Sequence, residues 1–406
     1  MKISNITFEE NKHECILSAD VRLSRFRTNK IFFSVPMRYR DFIFTDASPF
    51  LVGSLLRCTK LGENLEIHGG VSQKLYNNVT TIIEILDELE IVKKKNEITV
   101  TARDISLDVH GKPAGIGCFF SGGVDSFYTF LKNKDQGKEK ITHLILVHGF
   151  DIPLWNIALF KTVHSRMQII AKYYGVELIS VKTNIKEISD PYVEWGMAHG
   201  GAIAATALFL RRGLRRVYIA SSNSWDQLFP MGTHPYMDYL WGTESLELVH
   251  DGNEANRAQK VKKYIAFSQI ALQNIRVCYN NFGNVYNCGK CEKCLRTMVE
   301  LTVAGVWDKA SGNFKAPFDL KNMLLLENNP TIQRHFGASL KELEQNGGDE
   351  QLRKTLRGLL DGKSVVPFAQ RVLKRLSSID KKYTNGRLFL YAWQAKKRIS
   401  WLLTLI

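Results

Sequence analysis

The chain has 406 residues, which is too long for one ordinary hydrophobic core, and two or three domains are expected. Apolar residues make up 45% and charged residues 23%, fractions that are usual for a soluble globular protein. The sequence contains neither an apolar stretch long enough to cross a bilayer nor an N-terminal signal core. These features exclude a membrane-spanning protein and predict a cytoplasmic one.

The first zone, residues 1–112, mixes the patterns of strands and helices. Apolar runs predict strands at 15–21, 30–35 and 97–101, and helical spacing predicts helices near 50–58 and 73–89. This mixture predicts an N-terminal α+β domain, in which we recognise no motif. The turn Gly111-Lys112-Pro113 is the predicted linker to the next domain.

The second zone, residues 113–304, alternates strands and helices regularly. Strands are predicted at 115–120, 143–148, 176–182 and 216–221, and helices at 123–133, 157–174 and 199–212. The alternation predicts an α/β fold with a doubly wound parallel sheet. Ligands bind such sheets at the carboxyl ends of the strands. One crevice is therefore expected to gather four small or polar segments: 121–126, 148–151, 182–184 and 221–224.

The run Ser121-Gly122-Gly123-Val124-Asp125-Ser126 joins the first of these strands to its helix. Two glycines let the backbone approach a ligand closely, and Ser121 lies at the predicted helix N-cap. The free N–H groups of the first helical turn form an anion site suited to phosphate. The Walker loop is excluded because its lysine is missing. The run resembles the S-G-G-x-D-S signature of the PP-loop ATP pyrophosphatases, which cleave ATP between the α and β phosphates and leave AMP on a substrate.

Four of the seven cysteines form a cluster with the spacing C-x9-C-x2-C-x2-C: Cys278, Cys288, Cys291 and Cys294. Four thiolates close a tetrahedral structural zinc site that has no open position for catalysis. An iron–sulfur cluster is the alternative, although the bacterial ferredoxin run continues to a further cysteine followed by proline, which this chain lacks. In the predicted compartment, clustered cysteines indicate a metal rather than disulfides.

The two motifs together resemble 7-cyano-7-deazaguanine synthase of the queuosine pathway and its larger relatives in anti-phage and sugar-polymer gene clusters. The resemblance covers residues 114–304 and implies the adenine-nucleotide α-hydrolase-like fold. It also implies a ligase that adenylates the carboxylate of 7-carboxy-7-deazaguanine, after which ammonia yields an amide and then a nitrile. Where the synthases carry Y-G-Q, this chain has His148-Gly149-Phe150. The resemblance therefore implies the ATP chemistry rather than the identity of the acceptor.

The resemblance also assigns ligands by position. ATP pyrophosphate and Mg²⁺ would be bound by the signature residues, which are Ser121, Gly122, Gly123, Asp125 and Ser126. Zn²⁺ would be bound by the four clustered cysteines, which are Cys278, Cys288, Cys291 and Cys294.

Further side chains near strand ends are candidates for contact with the nucleotide or the acceptor: His148, Asp151, His199, Asn223 and Glu247. His199 lies at the start of the predicted helix 199–212, where a structural role is the alternative. Glu247 lies in a predicted strand, 245–249, and is a candidate for orienting an acceptor base. The run 226–251 is longer than an ordinary connection and predicts a lid or a substrate-binding element.

The third zone, residues 305–406, is predicted to be a basic helical C-terminal region. Residues 353–406 contain thirteen basic and two acidic side chains, a net charge of +11 out of +15 for the chain. This charge predicts a protein or nucleic-acid partner. The alternative is that Phe389, Trp393 and Trp401 pack on the core and leave the basic side chains solvated.

The favoured interpretation is an ATP-dependent ligase that acts on a small-molecule acceptor, which the resemblance implies is a deazapurine. A tRNA-modifying or nucleotide-sugar-amidating PP-loop enzyme is one alternative. A non-catalytic module that senses ATP is another, although the intact Asp125, Ser121 and Ser126 argue against it. Pyrophosphate release in the presence of candidate acceptors distinguishes these hypotheses.

Overall fold

A computed structural model describes residues 1–363, except 25–26, 93–95, 109–110, 112, 191 and 282–283, and in addition residues 372 and 376. The chain divides into two compact units, Met1–Phe318 and Asp319–Ile406. The predictions made for Phe389, Trp393, Trp401 and the segment 387–406 lie outside the described residues.

The first unit is organised by one ten-stranded sheet with the order β10-β9-β6-β7-β8-β3-β2-β1-β4-β5. Its strands are β1 (Lys2–Glu10), β2 (Glu14–Ser24), β3 (Arg27–Pro36), β4 (Leu65–Ser72), β5 (Val100–Ser106), β6 (Gly115–Phe119), β7 (His143–His148), β8 (Glu177–Thr183), β9 (Leu214–Ala220) and β10 (Glu247–Asp251).

Five neighbouring strands, β10-β9-β6-β7-β8, are parallel throughout. Of these five strands, β6 comes first in the chain and lies in the middle. The chain then adds β7 and β8 on one side of β6 and crosses back to add β9 and β10 on the other side. The direction of addition therefore reverses between β6 and β9, which is where open α/β sheets bind ligands. The predicted α/β class with parallel strands is confirmed here, and the strand order is compatible with a doubly wound fold. The four strands predicted for this region lie within two residues of their observed bounds.

The strands of the N-terminal region continue the same sheet. Strand β3 pairs antiparallel with β8, with Phe33 opposite Thr183. Phe33 also packs against Phe50 and Phe209, with ring centroids 5.7 and 5.4 Å apart, so the two regions share a hydrophobic core. The structure therefore divides the chain near residue 318, whereas the sequence predicts boundaries after residues 112 and 304.

The α-helices, numbered in chain order, are α1 (Ser48–Leu61), α2 (Gln73–Glu88), α3 (Val124–Asn133), α4 (Ile157–Tyr174), α5 (Lys186–Ser189), α6 (Trp195–Phe209), α7 (Arg257–Lys263), α8 (Gln269–Asn274), α9 (Glu292–Val303), α10 (Trp307–Ala310), α11 (Leu320–Met323), α12 (Pro330–Asn346) and α13 (Glu350–Leu360). Short 3-10 helices lie between them, among them Asp238–Trp241. None of the described helices combines the length and hydropathy that crossing a bilayer requires.

The second unit consists of helices in its described part, through residue 363. Helix α12 begins after Asn329, whose side chain accepts hydrogen bonds from the N–H groups of Thr331 and Ile332. Helix α13 begins after Asp349, whose side chain accepts from the N–H of Leu352. Such caps satisfy N–H groups that have no partner within the helix.

Candidate nucleotide site and metal centre

The glycine-rich loop lies between the end of β6 and the start of α3, as predicted, but its N-cap differs. Gly123 is the N-cap of α3, and Ser121 lies two residues earlier. The hydroxyl of Ser121 still serves the turn, because its Oγ accepts a hydrogen bond from the N–H of Gly123 at 3.4 Å. The Oγ of Ser126 donates to the Gly123 carbonyl at 3.0 Å. Both serines thus stabilise the tight turn that exposes the N-terminus of α3.

Gly122 cannot be replaced without strain. Its φ is +77°, and an added Cβ would lie 2.7 Å from the Cε of Met167 in α4. Its carbonyl accepts a hydrogen bond from the N–H of Arg276 at 2.8 Å. The loop is therefore held from outside by α4 and by the segment that precedes the cysteine cluster.

Two cations from α7 pair with Asp125. An Nη of Arg257 donates to its Oδ2, and the Nζ of Lys260 lies 3.2 Å from its Oδ1. Lys260, which is buried, also donates to the carbonyl of Ser221 at the end of β9. Burial alone would raise the pKa of Asp125, but Arg257 and Lys260 outweigh it and hold that pKa below its ordinary value. The carboxylate is thus ionised and fixed at the mouth of the loop.

Helix α9 contributes two further charged side chains, Arg296 and Glu300, next to Arg257. The Nε of Arg257 lies 3.1 Å from Oε1 of Glu300, which is buried. Burial raises the pKa of Glu300 above its ordinary value in spite of Arg257. Burial lowers the pKa of Arg296, and the neighbouring charge of Arg257 lowers it further. Repulsion between the two guanidinium groups makes this a place where an added anion is stabilising.

Arg276 adds a cation directly beside the loop. Its side chain is buried, one Nη donates to the Oδ1 of Asn281 at 3.0 Å, and its Nε has no hydrogen-bond partner among the described residues. A buried donor without a partner is costly unless a ligand or water completes it. The sequence does not identify Arg257, Lys260 and Arg276 as site residues, because each lies more than 130 residues after the Ser121–Ser126 loop and no local motif connects them to it.

Asn223 and Ser224 follow β9, as predicted. Strand β9 lies beside β6 at the switch point, the place where the direction of strand addition reverses. Both are buried, and neither the Oδ1 of Asn223 nor the Oγ of Ser224 has a hydrogen-bond partner within the described part of the chain. Their backbone is fixed by Asn253, whose amide donates to the Ser221 hydroxyl and the Asn223 carbonyl. Two polar groups are thus held at the carboxyl edge with capacity for a ligand.

His148 and Asp151 lie at the end of β7, and they differ in role. The His148 ring stacks on Phe160 with centroids 4.0 Å apart, and its Nε2 meets the Pro153 carbonyl at 3.0 Å. Desolvation lowers the pKa of His148, so this is a neutral histidine that holds the loop. Desolvation would raise the pKa of Asp151, but Lys293 and other nearby cations lower it overall. The contacts of His148 thus hold the loop after β7, and Asp151 stays a candidate for ligand contact.

His199 lies in the first turns of α6, against the long loop, residues 221–246, that joins β9 to β10. Its Nδ1 is 3.2 Å from the carbonyl of Trp195 and its Nε2 is 3.4 Å from the Oγ1 of Thr233. Desolvation lowers its pKa, although Asp238 and Asp151 oppose that effect. The histidine thus joins α6 to the long loop while remaining electrostatically coupled to Asp151 at the crevice.

Glu247 lies at the wrong end of its strand for the predicted role. It is the first residue of β10, is exposed, and its Oε2 pairs with the Nε of Arg216 at 2.7 Å. The carboxyl end of β10 is four residues away, roughly 13 Å along the strand. The prediction that Glu247 orients an acceptor is therefore wrong on position: the strand was predicted, but its start rather than its end carries the glutamate.

The four predicted cysteines come together. Their sulfur atoms all lie within 4.8 Å of one another, with Cys288–Cys294 and Cys278–Cys291 pairs at 3.9 Å. Tetrahedral thiolates at about 2.3 Å from zinc would be about 3.8 Å apart, so the spacing suits a metal ion. The cluster could hold a metal, and the other three cysteines, Cys15, Cys58 and Cys118, are buried elsewhere.

The backbone around the cluster is shaped to hold it. Gly289 has φ +74°, and an added Cβ would lie 2.5 Å from the carbonyl oxygen of Ala316. The N–H groups of Lys290 and Cys291 point to the Cys288 sulfur at 3.4 and 3.3 Å. Asn287 accepts hydrogen bonds from the N–H groups of Val277 and Cys278. These contacts stabilise negative sulfur and fix the first ligand beside the others.

The cluster and the crevice share two segments of chain. Cys278 lies two residues after Arg276, whose N–H binds the Gly122 carbonyl. Helix α9 begins after Cys291 and carries Glu300 to the Arg257 guanidinium. A metal bound by the cysteines would therefore stabilise both the loop and its cations.

Comparison of the chain with protein-family models, with curated proteins and with solved structures finds no match. The PP-loop assignment consequently stays a prediction that rests on the sequence motifs.

Replacement of Gly200 by alanine tests the contact between α6 and the long loop. The added Cβ would lie 1.6 Å from the carbonyl oxygen of Gly232, so the loop must move. We expect a loss of about 1–3 kcal/mol in the free energy of unfolding, measured in urea. Gly196→Ala in the same helix is the matched control, because nothing lies within 4 Å of its added Cβ. Equal stability of the two variants would contradict the packing described.

Proposed function

We propose that the chain is an ATP-dependent ligase that transfers AMP to a carboxylate or amide and releases pyrophosphate. The observation that carries the proposal is the convergence of the Ser121–Ser126 loop with buried cations at the switch point of the parallel sheet. Arg257 and Lys260 pair with Asp125 there, and Arg276 is bonded to the loop backbone. A structural role explains the ion pairs, but it does not explain an Arg276 Nε without a partner beside a helix N-terminus.

The residues divide the work of binding MgATP. The free N–H groups at the start of α3 and the side chain of Arg276 would bind phosphate oxygens. Asp125 and Ser126 would bind Mg²⁺ and the pyrophosphate. Asp125 would then give up part of its contact with Lys260 in favour of Mg²⁺. Mg²⁺ would neutralise phosphate charge.

Catalysis follows from charge that is already in place. The bond between the α and β phosphates breaks as the acceptor carboxylate attacks the α phosphorus, and negative charge gathers on the departing pyrophosphate. Arg257, Lys260 and Arg276 are fixed by hydrogen bonds before the reaction, so they need little reorganisation to stabilise that charge. Holding the carboxylate beside the nucleotide makes its attack effectively intramolecular.

For the acceptor we propose 7-carboxy-7-deazaguanine or a related deazapurine, on the resemblance of the two motifs. A flat base needs hydrogen-bonding groups at its edge and an aromatic or apolar surface at its face. Asn223 and Ser224 offer buried polar atoms with unused capacity, and Trp155 and Trp225 are exposed large aromatics after β7 and β9. Nucleotide-linked uronic acids and tRNA, the acceptors of the alternative PP-loop enzymes, are tested beside it.

For the metal we propose one zinc ion, bound by Cys278, Cys288, Cys291 and Cys294 in a structural role. Four thiolates leave no open coordination position. Two of the ligands, Cys291 and Cys294, lie at the N-terminal end of α9 and not in the Ser121–Ser126 loop. Zinc would supply rigidity to Arg276 and to α9, and the chemistry would remain with the nucleotide.

Pyrophosphate release tests this function. The protein is incubated with MgATP and, in separate reactions, 7-carboxy-7-deazaguanine, its 7-amido analogue, guanine, a uridine-diphosphate uronic acid and bulk tRNA. We expect the two substituted deazaguanines to stimulate release and guanine to have no effect. A response to the uronic acid alone would keep the adenylation and replace the acceptor. Hydrolysis to ADP and phosphate in every reaction would contradict the proposed chemistry.

A further inference from the structure

A carboxylate–imidazole pair is buried under the long loop. The Nδ1 of His250 lies 2.7 Å from the Oδ2 of Asp238, and the exposed fractions of the two side chains are 5% and 1%. The second carboxylate oxygen of Asp238 accepts the N–H of His234 at 3.1 Å. A carboxylate accepts only, so the His250 proton lies on Nδ1 when the ring is neutral, and Nε2 carries the lone pair.

The Nε2 of His250 is buried and has no hydrogen-bond partner in the part of the chain that the structure describes. Leaving a buried polar atom unpaired is unfavourable, and such atoms in native folds mark a function or a bound ligand. The hydrogen bond to Asp238 uses only Nδ1, so a purely structural pairing with that carboxylate leaves Nε2 unexplained. The pair thus presents an oriented base, the Nε2 of His250, to which no residue described in the structure donates a hydrogen bond.

The position of His250 separates it from the phosphate site. It is the penultimate residue of β10 and so lies at the same carboxyl edge as the loop. The next residue, Asp251, pairs with Lys132 of α3 at 2.8 Å, and successive strand residues point to opposite faces. His250 therefore faces away from α3, toward the side of the sheet that carries α6 and the long loop.

We propose that His250 is the base that removes a proton from the nitrogen nucleophile in the second half-reaction, with Asp238 as its positioning residue. The proposal rests on the proposed function. The nitrogen of ammonia attacks the carbonyl carbon of the acyl adenylate, a C–N bond forms, and the bond from carbon to the AMP oxygen breaks. AMP leaves with that electron pair, and the proton from nitrogen moves to Nε2 of His250.

The surroundings of the pair fit this role. Asp238 faces the ring from the short helix Asp238–Trp241, and His234 faces it from the loop before that helix. His199 in α6 is electrostatically coupled to Asp238. Desolvation lowers the pKa of both His199 and His234, so neither adds a fixed positive charge beside the pair.

The test uses His250→Asn in the full chain, because the asparagine amide can still donate to Asp238 while no atom replaces Nε2. Three rates are measured with MgATP and 7-carboxy-7-deazaguanine: exchange of pyrophosphate into ATP, hydroxamate formation with hydroxylamine, and amide formation with ammonium chloride. We expect exchange and hydroxamate formation to stay within about twofold of wild type. Amide formation at pH 7 should fall at least about 100-fold, and raising the pH, which supplies free ammonia, should recover part of it.

The comparison also separates the two proposals. Equal amide formation by wild type and His250→Asn would overturn the role of His250, and so would parallel loss of all three activities. A wild-type protein that shows no exchange would overturn the proposed function itself, before any variant is compared. Thermal melting of His250→Asn beside Asp238→Asn distinguishes lost fold from lost chemistry, because a merely structural pair would lower the melting temperature and reduce all three activities together.

Discussion

Replacing Asp125 with alanine is expected to abolish AMP formation and to destabilise the protein. The carboxylate pairs with Arg257 and Lys260, which are both buried. Among the described residues, its removal leaves Arg257 with Glu300 as its one acidic partner and Lys260 with the Ser221 carbonyl but no carboxylate. Breaking a buried ion pair by removing one member lowers the free energy of unfolding by about 3–5 kcal/mol. The sequence alone suggests little loss of stability, since a loop residue facing a crevice has few contacts. The ion pairs contradict that expectation.

The experiment measures acceptor-dependent pyrophosphate release and urea unfolding for Asp125→Ala, with Asp135→Ala as control. Asp135 lies just after α3, is exposed and should change neither quantity. The folded-state pKa of Asp125 is lowered, so its contribution to stability is present above the unfolded pKa, about 3.9, and is lost as pH falls through the folded pKa. A variant with full activity would contradict the role of the loop.

Loss of one clustered cysteine is expected to have the largest effect on folding. Zinc binding to four thiolates supplies on the order of 10 kcal/mol of folding free energy, comparable to the whole stability of a domain. Cys288→Ser should therefore unfold or aggregate, and a strong chelator should lower the melting temperature of wild type. ATP binding at the crevice should be lost as well, because Cys278 is two residues from Arg276, whose N–H donates to the Gly122 carbonyl of the loop.

Metal analysis and thermal melting check this prediction. Wild type should contain one zinc per chain, whereas Cys58→Ala, which removes a buried thiol outside the cluster, should keep the metal. Iron with a visible absorbance band would establish the alternative cluster. A folded Cys288→Ser protein with wild-type stability would mean that the cysteines hold no structural metal.

The parts of the fold that the sequence predicts are local. The strand, turn and helix around Ser121–Ser126 follow from an apolar run, two glycines and helical spacing within twenty residues. The cysteine cluster follows from ligand spacing, because three of its members lie within seven residues and the fourth is ten residues before them. Short-range patterns constrain backbone geometry directly, which is why both features are found where the sequence predicts them.

The parts that the sequence misses depend on contacts distant in the chain. The pairing of β3 with β8 joins residues about 150 positions apart, and no pattern in either strand specifies its partner. Arg257 and Lys260 reach Asp125 only because α7 packs beside α3. Glu247 shows a further limit, since a strand can be predicted correctly while the residue of interest lies at its amino end.

The central claim is that a carboxylate attacks the α phosphorus of ATP, and an isotope experiment tests it most directly. 7-Carboxy-7-deazaguanine labelled with oxygen-18 in its carboxylate is incubated with the protein, MgATP and ammonium chloride, and the nucleotide products are analysed by mass spectrometry. Attack at the α phosphorus places one labelled oxygen in AMP, because the bridging oxygen of the acyl adenylate leaves with the nucleotide. Label in inorganic phosphate with ADP as the product, or unlabelled AMP, would contradict the adenylation chemistry.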